Sequence, residues 1–277
     1  MKIALNELDR IVEDERFVVE TADGFYRIQK GYDEFADSPR DFDGNIGSMF
    51  CWHSRYSLGD THEFKCPDDL LNTMMLENFS FEALDEMLKS GKYGVRMEIQ
   101  DGEPTLMSGR DAERTYTEET IRLGWPQEDF VEVLSIGQKV KLLNELPDML
   151  FMPLYLLDHS GLSISTSDFA DLWDSGQVGF IYTTRARYEE ETTDQDNPYW
   201  KAQAKEMLKA EVSEYDIYLQ GFCYYVSIDK WCGPEDVDPE DFLTAEPYWK
   251  DYESSGGFLG ADDAENGVLD FIEEMIG

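Results

Sequence analysis

The chain has 277 residues, and sixty Asp and Glu against twenty-three Lys and Arg give it a formal net charge of −37 at pH 7, far from the near-neutral balance of most small domains. A field of that sign and size repels nucleic acid and argues against direct DNA or RNA binding. A composition of 42% hydrophobic and 13% aromatic residues in turn excludes a disordered acidic chain and is richer than expected of a salt-adapted one.

In chain order, MKIALNELDRIVEDERF has no uninterrupted apolar stretch and is not read as a signal peptide; Ile3 to Ile11 fits a short helix or a strand edge. Phe17 to Ile28 reads as a hairpin turning at Ala22-Asp23-Gly24. An acidic loop with Pro39 spans Tyr32 to Asn45, and a strand follows from Ile46 to Tyr56, stopped by Ser57-Leu58-Gly59-Asp60. Pro67-Asp68-Asp69 opens a helix, with proline and acids in the first turn, and the pattern continues to about Leu88 before Ser90-Gly91. Strands are expected from Tyr93 to Ile99 and near Leu106 across Asp101-Gly102, then a weak helix from Thr117 to Leu123 broken at Pro126. Val133, Leu134, Val140, Leu143 and Leu146 recur at helical spacing between Phe130 and Pro147.

Leu150 to Thr184 is the longest apolar, cation-free stretch. Met149 to Leu157 is a continuous apolar run, the pattern of a strand covered on both faces, and Val178 to Tyr182 is a second, β-branched and aromatic one. Between them, Asp158-His159-Ser160-Gly161 and Asp174-Ser175-Gly176 read as turns whose glycines take positive φ. Asn197 to Leu219 reads as a helix with Asn197 as cap and Pro198 in the first position. A strand from Phe222 to Ile228, a loop to Gly260 and an amphipathic helix from Ala261 to Ile276 complete the chain. The sum is an α+β fold, a mostly antiparallel sheet with packing helices, in a single large acidic domain over residues 1–277. No run reaches the roughly eighteen apolar residues of a membrane span. Cys51, Cys66, Cys223 and Cys232 lack a disulfide-framework spacing and fit a reducing cytoplasm.

The segments PLYLLDHSGLSISTS and WDSGQVGFIY, with MFCWHSRYSLGD at Met49 to Asp60, AEVSEYDIYLQG at Ala210 to Gly221 and GGFLGADDAENGVLDFI at Gly256 to Ile272, carry a resemblance. They are similar to motifs of an uncharacterised family of acidic proteins carried by bacteriophages and mobile elements. The resemblance implies provenance and brings no catalytic residues with it. The segment from about 91 to 125 departs from that pattern and reads as an insertion.

For an enzyme the sequence offers little: it has no Gly-rich phosphate loop, GxSxG elbow or HExxH. Cys51, His53, His62 and Cys66 offer zinc-type ligands, but without CxxC spacing, and buried cysteines beside turn histidines explain them as well. Asp158-His159-Ser160 has triad residue types, but adjacent residues do not point at one another. Asp158, Asp168, Asp171 and Asp174 carry oxygen ligands for a divalent cation, with turn and cap roles as the alternative. Neither a catalytic residue, a metal nor a cofactor is assigned.

The acids cluster at Glu189, Glu190, Glu191, Asp194 and Asp196; at Glu235, Asp236, Asp238, Glu240 and Asp241; and at Asp262, Asp263 and Glu265. From Gly221 to Gly277 fifteen acids face only Lys230 and Lys250. Singly, each cluster is a solvated loop or helix start; on one body, carboxylates at phosphate-like spacing reproduce the potential of a DNA backbone. Tyr199-Trp200, Tyr224-Tyr225, Tyr248-Trp249 and Tyr252 are expected at the edge of the core, some of them as interface anchors. The expected function is therefore a non-enzymatic, cytoplasmic inhibitor of a basic nucleic-acid-binding host defence protein, of restriction or CRISPR type, by DNA mimicry or occlusion. The alternatives are a metal-dependent hydrolase using the Asp158 to Asp174 loop and a non-inhibitory accessory phage protein. The choice between monomer and homodimer stays open.

Overall fold

The computed structural model describes residues 2–4, 16–80, 82–83, 95–100, 103–109, 116–120, 131–132, 134–171, 173–192, 194–234 and 246–277, and over these the chain is an α+β protein. Its strands are β1 (Lys2–Ala4), β2 (Arg16–Thr21), β3 (Gly24–Tyr32), β4 (Ser48–Cys51), β5 (Val95–Gln100), β6 (Glu103–Gly109), β7 (Tyr116–Thr120), β8 (Met149–Asp158), β9 (Leu162–Ser165), β10 (Ser175–Thr184), β11 (Cys223–Trp231) and β12 (Trp249–Leu259). The helices are α1 (Pro67–Asn78), α2 (Ile136–Glu145), α3 (Arg185–Glu191), α4 (Trp200–Leu219) and α5 (Val268–Ile276). The strands form sheets in the orders β1-β2-β3-β11-β12, β4-β10-β8-β9 and β5-β6-β7. Among the described residues every pairing is antiparallel except β1 with β2.

The four-stranded sheet is built on β8 and β10, the two apolar runs of the sequence, and it is covered on both faces. Met152, Leu154 and Leu156 of β8 pack with α4, which contributes Trp200, Ala204, Leu208, Val212 and Tyr215 from one stripe. Met149 and Phe151, on the opposite face, join Phe180 and the buried residues Leu71, Met75, Leu142 and Leu143 of α1 and α2. Each such side chain contributes about 1.5–3 kcal/mol of burial free energy, so these layers fix the sheet between its helices. Pro153 is tolerated because β9 pairs with β8 only from Tyr155 onward, leaving the proline on an edge where no ladder donor is needed.

The five-stranded sheet packs Phe17, Val19, Tyr26, Ile28, Val226 and Ile228 against Val268, Ile272 and Ile276 of α5. Its first hairpin turns over Ala22-Asp23, with Gly24 at φ 124°. Local caps set the helix ends. Ser135 and Gln138 form a reciprocal capping box on α2. Asn197 accepts from the Tyr199 amide, so α4 starts at Trp200 and not at Pro198.

Five expectations need correction. Trp249–Leu259, expected as loop, is an edge strand on β11; its side chains are mostly exposed, which removes the apolar alternation that marks a half-buried strand. Thr117 to Leu123 is expected as a weak helix, but its described part, to Thr120, belongs to the strand Tyr116–Thr120 that pairs with β6, in keeping with its tyrosine and threonines. The turn after β8 contains β9, and its positive φ falls on Ser160, at 59°, while Gly161 is ordinary. Gly176 is no turn residue: it is a strand position of β10 opposite Leu156, without positive φ and with open space where a Cβ would go. The helical pattern read to Leu88 ends at Asn78, with 82–83 helical again and 84–94 outside the described residues.

Candidate functional site

At one end of the four-stranded sheet, the β9–β10 loop meets the segment that follows β4. Asp171 accepts hydrogen bonds from the Trp173 and Asp174 amides at 2.8 and 3.1 Å, and its carbonyl accepts from the Ser175 hydroxyl. Asp174 Oδ2 lies 2.7 Å from His159 Nδ1. The Asp174 carboxylate draws the His159 pKa above its ordinary value, and the two amides hold that of Asp171 below its own. The ligand atoms of His159, Asp171 and Asp174 thus lie within 4.8 Å of one another, all at the surface.

This differs from the expected four-aspartate set. Asp158 is taken by an ion pair with Arg55, Asp168 stays outside the group, and His159 pairs with Asp174 and with neither triad neighbour. The bonds inside the loop account for the convergence, and they lock the turn that holds Trp173, which is 94% exposed.

Two adjoining cavities, of about 290 and 540 Å³, share Trp52 and His53. The smaller is closed by Arg55, Asp158 and Trp173, the larger by Asp60, His62 and Lys65. The zinc-type quartet is not assembled. Among the described residues Cys51, His53, His62 and Cys66 form no ligand group; His53 stacks on Tyr56 at 4.9 Å, and His62 Nε2 faces the Cys51 carbonyl at 3.1 Å. Burial pushes the Cys51 thiol up to about 12, which keeps it protonated and poorly nucleophilic at neutral pH.

A polar hub that the sequence reading missed joins the loop after β3, the segment after β4 and α4. Arg40, in the loop from β3 to β4, donates to Asp60 at 2.8 and 3.1 Å, to Asn45 at 2.9 Å, to Glu211 of α4 at 2.8 Å and to the Gly47 carbonyl at 2.6 Å. Its side chain is 3% exposed. Glu211 also accepts from the Ile46 and Gly47 amides at 2.7 and 3.2 Å, and Asp60 from the Met49 amide at 2.8 Å. Burial raises the Glu211 pKa against the pull of Arg40, whereas for Arg40 the two carboxylates outweigh desolvation and raise the pKa. Every donor of the guanidinium is matched, as a buried cation requires.

The acid clusters meet different fates. Glu189 pairs with Arg185, Glu191 reaches Arg187 at 3.9 Å, and Asp194 accepts from the Tyr188 hydroxyl and from Asn197. Glu190 and Asp196 are exposed. Asp262 caps the turn to Ala264, and Glu265 is exposed. Asp263 is a correction: it is buried against Lys30 at 2.7 Å, the two side chains 2% and 3% exposed, and is unavailable to a partner. Glu235, Asp236, Asp238, Glu240 and Asp241 lie outside the described residues. In the aromatic pairs Trp200, Tyr224 and Trp249 are buried while Tyr199, Tyr225 and Tyr248 are exposed, as is Tyr252.

Four of the cations are buried, while others such as Arg16, Arg55, Arg187 and Lys209 stay at the surface. Arg27, Lys30, Arg40 and Lys139 are all at most 9% exposed at the side chain and bonded to acids. Lys201 donates to the Asn144 and Leu146 carbonyls at the end of α2, where the helix dipole favours a cation. Among the described residues no helix is long and apolar enough to cross a membrane. Comparison with family models, curated proteins and solved structures gives no match to this chain.

Proposed function

We propose that this is an acidic inhibitor, phage- or mobile-element-encoded, that occupies the basic groove of a nucleic-acid-binding defence protein and keeps DNA out. The observation that supports this reading is the inward placement of cations. Arg27, Lys30, Arg40 and Lys139 are withdrawn from the surface into pairs with acids, which leaves the excess of acids behind the net charge of −37 for the remaining surface. Exposed carboxylates cost little to display singly, but together they present a field that a DNA-binding surface is built to receive. The exposed aromatics beside them supply the apolar anchoring that charge alone does not.

The test is competition between this protein and labelled duplex for a purified restriction or CRISPR-type nuclease, at rising salt. Mutual exclusion that weakens steeply with ionic strength is expected. A stable ternary complex with unimpaired cleavage would sink the proposal.

A further inference from the structure

We infer that the loop joining β3 to β4, residues 32–45, is the docking element of this protein, and that it takes a Lys/Arg-rich protein surface carrying an apolar pocket. The inference rests on the inhibitor reading above and names the part of the surface that performs it. Two observations meet in this loop: it displays aromatic side chains to solvent, and it is held too firmly for that display to be slack.

Phe35 is 92% exposed and Phe42 is 55% exposed, and Tyr32 at the end of β3 is exposed beside them in sequence. Single exposed apolar residues are ordinary, but a phenylalanine almost wholly in water on a fixed loop leaves its burial free energy unclaimed until something covers it. The loop is fixed at several points. Asp33 accepts from the Phe35 amide at 3.1 Å and from the Gly257 amide of β12 at 3.0 Å. Ser38 caps the short turn at buried Pro39. Asn45 donates to the Pro39 and Phe42 carbonyls at 3.0 and 2.9 Å, and Arg40 is bolted into the hub with Asp60 and Glu211. An anchor held in place before binding loses little entropy on association.

Charge complementarity selects the partner. Asp33, Glu34, Asp37, Asp41 and Asp43 alternate with the two phenylalanines, and Glu34, Asp37, Asp41 and Asp43 are exposed. The sole cation of the segment, Arg40, points inward. An apolar centre with an entirely negative rim matches a basic surface with an apolar pocket and repels an acidic one.

The test uses the full chain and three labelled peptides: a Lys/Arg-rich peptide with central leucines, the same peptide with serines in their place, and an acidic control. Binding by fluorescence anisotropy at low salt is expected to favour the leucine peptide over the serine one by about tenfold, the loss typical of a removed anchor. F35S should abolish that preference and leave the protein folded, since Phe35 makes no core contact. E34Q/D37N/D41N/D43N should weaken both basic peptides, while E253Q/D270N/E273Q/E274Q, which removes as many exposed charges elsewhere, should not. If the basic peptides bind but F35S and the loop neutralisation change nothing, the docking assignment is overturned and the inhibitor reading survives. If no basic peptide binds at low salt, both fall.

Discussion

Arg40 and Glu211, 171 positions apart, are joined by a hydrogen bond of 2.8 Å, and through it the loop after β3 is fastened to the middle of α4. The same guanidinium holds Asp60, so one side chain ties the loop, the helix and the segment that follows β4. Removing one partner of a buried pair leaves the other uncompensated, which costs on the order of 3–5 kcal/mol.

Arg40→Met is therefore expected to lower the melting temperature by roughly 6 °C or more, at 2–4 °C per kcal/mol for a chain of this size. Glu211→Gln keeps the shape but removes the charge, and should cost less. Equal melting of wild type and Arg40→Met would remove the hub from the account of stability.

Gly179 and Gly176 should behave in opposite ways, although both lie in β10. A Cβ at Gly179 would collide with the Phe50 carbonyl oxygen and sit 2.9 Å from Cys51 Cα, whereas at Gly176 it meets nothing within 4 Å. Gly179→Ala should destabilise by several kcal/mol, since backbone on β4 must move. Gly176→Ala should be neutral or stabilise by about 0.4–1 kcal/mol through the unfolded chain. Urea denaturation of the two variants checks the contrast.

Lys30 and Asp263 form a buried pair 233 residues apart. Asp263→Asn alone should cost about 3–5 kcal/mol by stranding the ammonium, and Lys30→Met with Asp263→Leu should recover most of the loss. A double variant no better than the single one would mean that the pair does more than satisfy itself.

The His159 imidazole should titrate above its ordinary value, because Asp174 stabilises the protonated ring. The folded pKa is the higher one, so the small stability this pair adds is fully present below the unfolded pKa and is lost as pH rises through the folded one. For Asp171 the sign is reversed: its lowered pKa gives stability present above the unfolded value and lost on acidification. In an NMR titration, Asp174→Asn should bring the His159 midpoint down, and Asp171→Asn less so. Superimposable curves for wild type and Asp174→Asn would show that the ion pair does not form in solution.

What the sequence made legible is local. The β8 and β10 runs, the Ala22-Asp23 turn and the apolar stripes of α4 and α5 all follow from patterns within about twenty residues. β12 was hidden because Trp249–Leu259 is an edge strand with exposed Asp251, Glu253 and serines, whose pairing depends on β11. At the site, the residue types around Asp158 to Asp174 stood out, yet Arg55, from the other side of the sheet, decides which aspartates are free to converge. Arg40 and Asp263 looked like one more cation and one more surface acid. Their burial rests on partners far along the chain, which periodicity does not encode.

The insertion of β11 between β3 and β12 sets an order in time. β3 pairs with β2 on one side, but its other side waits for a strand whose contacts with it lie about two hundred residues downstream, such as Arg27 with Asp229 at a separation of 202. At 5–20 residues per second, a ribosome takes roughly 10–40 s to supply it. Until then the edge of β3 that β11 covers in the folded sheet has no native partner to pair with. Arg27 and Lys30 stand on that strand, and Asp229 and Asp263, which pair with them in the folded protein, are made only at the far end of the same interval.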